Sequence, residues 1–377
     1  MRPVAIPVGF IPLVDAAPLI VAQEMGFAAE EGIALDLRRA PSWSSLRDML
    51  AYGQVDAAHM LAPIPVAAAM NLGGSGSALT VLSVLSINGT VIGVSSDLAI
   101  RIRQAGHDFD FADATAAGKA LIAAATDRLL IGVPFPFSMH AELLYYWLSA
   151  LGLPAPQGIN IRTVPPPLMA DALKNGEIDA FCVGEPWGSM VVESGIGALL
   201  LPGKAIWSFA PEKVLAVRSD WGDTETALSQ RLIRSVWRAG RWLSDPASRI
   251  LTAELLSRPD YLNVPAEIID RALSGKLTVN PQGLQRQVPG FVEFHKEAAG
   301  VPWQKQAQWI AVQLAARAGL DRDSATKANA SVFRSDLYRS ALAETATDLP
   351  KAGEGIRDSV GEDSFFDGHF FDLNPTT

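Results

Sequence analysis

Cysteine is almost missing from this chain: among 377 residues only Cys182 carries a thiol. That excludes an internal disulfide framework and a cysteine-rich metal site. Cys182 lies in an apolar run and reads as a small buried hydrophobe. Histidine is scarce, at positions 59, 107, 140, 295 and 369, with no spacing suited to a shared metal. There is no block of Lys or Arg and the net charge is −9, so the basic footprint of direct nucleic-acid binding is absent. No run of about 18 apolar residues occurs, which excludes a membrane-spanning helix. Met1-Arg2-Pro3 leads straight into Val4–Phe10, without an apolar export segment and a small-residue cleavage site. A soluble, cytoplasmic chain is therefore expected. Also lacking are H-E-x-x-H, G-x-S-x-G, a Walker loop and a G-x-G-x-x-G after a strand. Gly73-Gly74-Ser75-Gly76 reads as a flexible turn rather than a phosphate cradle. The expectation is a binding protein, not an enzyme, with no cofactor or metal.

What is present is a repeat. Leu46–Pro65 reads LRDMLAYGQVDAAHMLAPIP, and Leu168–Trp187 reads LMADALKNGEIDAFCVGEPW. Asp48 meets Asp171, Gly53 meets Gly176, Asp56 meets Asp179 and Pro63 meets Pro186, each 123 positions on. Each copy is an amphipathic helix ended by Gly, a short turn to Asp, an apolar strand, and a Pro that stops it. Such strings also arise by chance at helix-to-strand turns. The absence of gaps favours two similar lobes, one around each copy.

The composition, 49% hydrophobic and 19% charged, can fill sizeable cores. Strands are expected at 3–10, 33–38, 79–85, 91–94, 129–134, 159–164, 198–201 and 214–217, beside the two repeat strands. Asp15-Ala16-Ala17-Pro18 reads as a capped helix start, and Ser42 as the N-cap before Trp43. Asn88-Gly89 is a turn dipeptide. Residues 97–125 read as two helices joined by His107-Asp108-Phe109-Asp110. Helices are expected at 138–151, 224–243, 246–257, 266–275 and 302–319. After Asp321 the pattern weakens, and Phe365–Asp372 reads as an aromatic turn packed on the body. The alternation predicts a first lobe from 1–95, a second lobe over 96–204, a return to the first over 205–320, and an extension over 321–377. Two strands crossing between lobes make a hinge, with the ligand site in the cleft.

In that cleft two helix starts offer free N–H groups and a positive dipole end to an anion: Pro41-Ser42-Trp43 and Phe135–His140. His140 either directs a donor at an anion or serves as a solvated first-turn residue. Trp43 and Trp187 either wall the cleft or pack the lobes. Lys213, on the second crossover, either faces the cleft or is a plain surface lysine.

These same stretches resemble a known family. Gly9–Leu13 with Asp15–Leu19, Ser42-Trp43 with Arg47-Asp48, Asp56–Pro63, Val183–Trp187 and Pro211-Glu212-Lys213 are similar to the nitrate/bicarbonate solute-binding family of ABC transporters. The likeness covers about residues 4–320. It implies an α/β, type II periplasmic-binding-protein fold: two α/β lobes, a two-strand hinge and a helical C-terminal extension. It also implies anion contacts from Trp43, the Gly89-Thr90 turn, His140 and Lys213. Where relatives carry Gln after the Asn-Gly turn, this chain has Thr90, a shorter donor. Because bicarbonate-binding relatives tend to lack the lysine, the resemblance at Lys213 implies nitrate or nitrite rather than bicarbonate. The Phe135–His140 segment, together with the missing export segment, is further similar to cytoplasmic nitrate/nitrite sensors. Those hold an RNA-binding, ANTAR-domain antiterminator as their regulatory partner and release it on anion binding. The alternative is an extracytoplasmic component of a nitrate, bicarbonate or sulfonate transporter. A third class, resembling thiamine-pyrimidine precursor synthases, wants a cysteine-rich motif that a single Cys cannot supply.

Overall fold

The computed structural model describes residues 3–74, 76–346, 349 and 363–370. Ser75, in the glycine turn, and Phe371–Asp372 of the aromatic turn lie outside them.

Each repeat copy forms the middle of its own sheet. In the first, Trp43–Ala51 is the helix, Gly53 has φ +70°, and β3 is Ala57–Leu61. In the second, Met169–Lys174 is the helix, Gly176 has φ +69°, and β8 is Ala180–Gly184. Positive φ at both glycines is why each copy needs Gly at the helix end. The first sheet adds β1 (Val4–Phe10), β2 (Ile33–Arg39), β4 (Leu79–Asn88) and β10 (Pro211–Arg218), in the order β2-β1-β3-β10-β4. A two-residue edge strand, Val292–Glu293, pairs with β4. The second sheet adds β5 (Thr90–Ser95), β6 (Leu130–Val133), β7 (Asn160–Thr163) and β9 (Gly197–Pro202), in the order β7-β6-β8-β5-β9. In both, the central repeat strand runs parallel to one neighbour and antiparallel to the other. Both strands are buried on both faces, β8 as a continuous apolar run and β3 as one interrupted by His59.

The chain leaves the first sheet at Gly89 (φ +91°), where an added Cβ would stand 3.1 Å from Val292 Cγ2. Asn88-Gly89 is thus a crossover, not a hairpin turn: β4 and β5 lie in different sheets. Strand 91–94 belongs to the second sheet, and the crossover precedes the expected boundary at 95. The chain returns through residues 203–210 into β10.

The later helices are Thr226–Leu243, Arg249–Ser257, Ala266–Ser274 and Gln304–Ala318. Two more follow where the sequence pattern weakens, Arg322–Ala328 and Ser335–Leu342. Beyond them Phe365 stacks on Trp207 and Trp309, with ring centroids 4.8 and 5.4 Å apart, and meets Tyr146 at 4.5 Å. Tyr146 Oη donates to Asp367, and Phe366 N donates to Ile206 O. Residues 363–370 therefore lie as a strap over the return crossover. They touch Tyr146 on the second lobe and Trp309 on the C-terminal helices. Below this cluster, Arg317 forms a two-pronged ion pair with the fully buried Glu142. No helix among the described residues is long and apolar enough to cross a membrane.

Candidate functional site

The crevice between the sheets is walled by residues from separate stretches of both lobes. After β1, Val14–Ala16 forms a tight turn that buries Asp15. The sequence casts Asp15 as a helix cap, but no side-chain cap bond forms there. Its carboxylate instead meets two bases: Lys213 Nζ at 2.8 Å and His59 Nε2 at 3.0 Å. The Asp15–His59 approach is off-line, so both groups keep hydrogen-bonding capacity.

Lys213 is fully buried on β10. It donates to Glu212 Oε1 at 2.9 Å and lies 5.6 Å from the centre of the Trp43 ring. Adjacent strand residues ordinarily face opposite ways. Here the β10–β4 pairing shifts register on both sides of Lys213, and such an irregularity turns Glu212 and Lys213 toward one place. Trp43 is the first residue of its helix, where Ser42 Oγ accepts from Ser45 N as expected of the N-cap. Its indole packs 5.7 Å from the His59 ring.

The second lobe contributes His140, in the first turn of the helix Met139–Ala150, which Ser138 caps. His140 Nδ1 is 3.1 Å from Glu212 Oε1, across the lobes. Thr90 opens β5, and Gly203 lies so close that a Cβ there would stand 2.2 Å from Thr90 Oγ1. At Gly184 a Cβ would stand 3.5 Å from Asp15 Oδ2 and 3.9 Å from His140 Nε2. Two further contacts tie the lobes. Trp187 Nε1 donates to Pro12 O at 2.8 Å, and Val14 N donates to Glu185 O at 2.8 Å. Trp187 thus both packs its lobe and spans the cleft.

The sequence-expected Trp43, Thr90, His140 and Lys213 are therefore all buried around one crevice, and Gly89 forms the crossover turn next to Thr90, its O accepting from Glu185 N. The resemblance singled out no role for Asp15, His59, Glu212 or Glu185. All four lie within the motifs that carry the resemblance, and Glu212 directly precedes Lys213, but nothing in the sequence pointed them at the cleft.

Burial and charge set the protonation states. Burial alone would raise Asp15, but Lys213 and His59 outweigh it and hold its pKa at about 2. Burial works against Lys213 too, yet Asp15 and Glu212 raise it above the ordinary lysine value. Glu212 goes the other way: burial pushes it up to about 7 despite Lys213. Glu185 also reaches about 7 through burial, against the Ser189 hydrogen bond. His140 falls well below its usual value through burial and the Lys213 charge, and burial lowers His59. Both imidazoles are thus neutral donors and acceptors near pH 7. Buried polar atoms without a hydrogen-bond partner gather here: Trp43 Nε1, Thr90 Oγ1, His140 Nε2, His59 Nδ1 and Glu212 Oε2. Native interiors rarely leave such groups unpaired, so their convergence marks a binding site. No group of three or more His, Cys, Asp or Glu among the described residues is arranged for a metal ion.

Comparison with known proteins places this geometry. The model of the NMT1-like family matches residues 2–257. The nitrate/nitrite binding protein NrtA of Synechococcus elongatus is 30% identical over 378 residues, covering 97% of this chain and 82% of that protein. The nitrate import ATP-binding protein NrtC of Synechocystis is 32% identical over 313 residues, covering 81% of this chain but 45% of NrtC, so the chain spans about half of that relative. The crystal structure of the periplasmic nitrate-binding protein NrtA from Synechocystis superposes with a TM-score of 0.84 at 28% identity, covering 97% of this chain and 95% of that one. The two-lobed α/β fold expected from the sequence is thereby established.

Proposed function

Because the chain belongs to the NMT1-like family, we propose that it is a solute-binding protein, not an enzyme, that holds nitrate or nitrite between its lobes. One observation carries the reading: the unpaired donors Trp43 Nε1, Thr90 Oγ1 and His140 Nε2 converge with the buried cation Lys213. A planar monovalent anion needs several charge-assisted or neutral hydrogen bonds and one cation, and this set provides them. Glycines at 184 and 203 let the backbone come close to Asp15, His140 and Thr90, where a side chain would intrude. Relatives named for nitrate binding and nitrate import support a transport role, with the protein as the receptor that serves a membrane importer. The finer reading, a cytoplasmic sensor that controls an ANTAR-domain antiterminator, rests on the resemblance to cytoplasmic sensors stated above. It ranks second.

Calorimetric titration with nitrate, nitrite, bicarbonate and an alkanesulfonate tests the site. Micromolar binding of a nitrogen oxyanion, weaker for the others, is expected; no heat with nitrate or nitrite would sink the proposal. A pull-down with an ANTAR-domain antiterminator, with and without nitrate, then separates the roles. Anion-sensitive capture would establish the sensor, and no capture would leave the receptor.

A further inference from the structure

The crevice contains more negative charge than an anion receptor needs. One lysine stands between two carboxylates, 2.8 Å from Asp15 and 2.9 Å from Glu212, and all three are buried. With both carboxylates ionised, Lys213 leaves a net −1 before any ligand arrives. A bound monovalent anion would make this −2 in a place closed to water, where like charges repel strongly and solvation is lost. The neutral donors Trp43, Thr90 and the two imidazoles cannot cancel that charge. A single proton can.

The geometry points to Glu212 as the residue that takes it: the anion and one proton enter the cleft together, and protonated Glu212, set against His140, is the form of the site that accepts the anion. This inference rests on the interlobe anion reading above. Asp15 is a poor recipient, since Lys213 and His59 both touch its carboxylate. Glu212 is held by one cation only, its Oε1 faces His140 Nδ1 at 3.1 Å, and its Oε2 has no partner. A proton on Oε2 would make that atom a donor to an oxyanion. The groups that face Glu212 are Lys213 on its own strand, Asp15 from the turn after β1, His140 from the second lobe, and Cys182 on β8. Cys182 stays a thiol, because burial and the Glu212 charge both raise it. His59 acts at one remove, through Asp15. Glu212 itself titrates near neutral pH, at about 7, because burial outweighs Lys213.

The test is calorimetric titration of the full chain with nitrate, at about pH 6, 7 and 8, in buffers of different ionisation enthalpy. Proton uptake should be near zero at about pH 6 and approach one per anion at about pH 8. Affinity should weaken toward tenfold per pH unit above about pH 7, as single-proton linkage requires. Glu212→Gln should abolish the uptake and the pH dependence together. Nitrate binding with no proton uptake at any of the three pH values would overturn the inference and leave the anion site standing. Uptake that persists in Glu212→Gln would overturn it as well. No nitrate binding at any pH would remove both readings. If Glu212→Gln does not fold, the wild-type buffer series still decides.

Discussion

The two lobes share a frame and differ in chemistry. The 123-position offset of the repeat extends beyond the matched stretch. Val8 pairs with Ala57 in the first sheet, and Ile131 pairs with Ala180 in the second. At the cleft end, Leu61 of β3 pairs with Lys213 and Gly184 of β8 pairs with Thr90. Lys213 and Thr90 thus hold equivalent places on the two crossover strands. By the same offset His59 corresponds to Cys182, and Asp15 to Ser138. The first lobe supplies ions, Asp15, Glu212 and Lys213, where the second supplies neutral groups, Thr90, Cys182 and the neutral His140. One small anion cannot use two copies of a charged half-site: a second lysine would overcharge it, and a second Asp would repel it. The duplicated skeleton therefore keeps its turn-forming Gly and Pro residues and diverges where the lobes meet.

Four substitutions would break or sharpen this contrast, and the largest effect belongs to the charged half. Lys213→Ala leaves Asp15 and Glu212 buried together without a cation. Loss of a buried ion's partner costs about 3–5 kcal/mol, so a sharply lower Tm and no detectable nitrate binding are expected. A Tm near wild type would show that the two carboxylates do not depend on the lysine.

Next comes the pH dependence of stability. Glu185 and Glu212 bind their protons more tightly in the folded chain, at about 7, than unfolded, at 4.5. Their contribution is complete below about pH 4.5 and is lost as pH rises through about 7, on the order of 3 kcal/mol for each carboxyl. Tm without ligand should fall between about pH 5 and pH 8, and Glu185→Gln should halve the slope. An unchanged slope in that variant would assign the effect to the first lobe alone. Asp15 acts oppositely: its stabilisation is lost only as pH drops below about 3.8 toward 2.

His140→Ala removes a second-lobe donor and should weaken nitrate binding by about 1.5–3 kcal/mol, the scale of a hydrogen bond to a charged partner. Titration reads it directly, and undiminished affinity would remove His140 from the site. The smallest effect is Thr90→Val, about 1 kcal/mol of affinity for one neutral hydrogen bond. A loss as large as that of His140→Ala would contradict the view that Thr90 is a minor donor.

Most of the fold was legible because its determinants are local. Gly53 and Gly176 end helices, Pro63 and Pro186 end strands, and apolar runs mark β3 and β8. Trp43 and His140 were legible as first-turn residues, although only the family resemblance chose between contact and packing for them and for Lys213. The unreadable parts are non-local. Asp15 has the sequence context of a cap, but Lys213, almost two hundred positions away, decides its role. Glu212 faces the site through a register shift that leaves no mark in the sequence. Asn88-Gly89 has the grammar of a hairpin, and only the sheet assignment of β5 shows a crossover.

The aromatic stack behind the crossover gives the molecule its own optics. Trp207 and Trp309 are 4.7 Å apart and Phe365 touches both, at the junction of lobe, return segment and strap. Trp43 sits beside the site lysine. Tryptophan emission responds to nearby charge and ring contact, so of the nine tryptophans Trp43 senses the surroundings of the buried lysine and the Trp207–Trp309 pair senses the junction. A Trp43→Phe variant would subtract the contribution beside the lysine from the summed emission of the nine tryptophans and leave that of the Trp207–Trp309 pair in place.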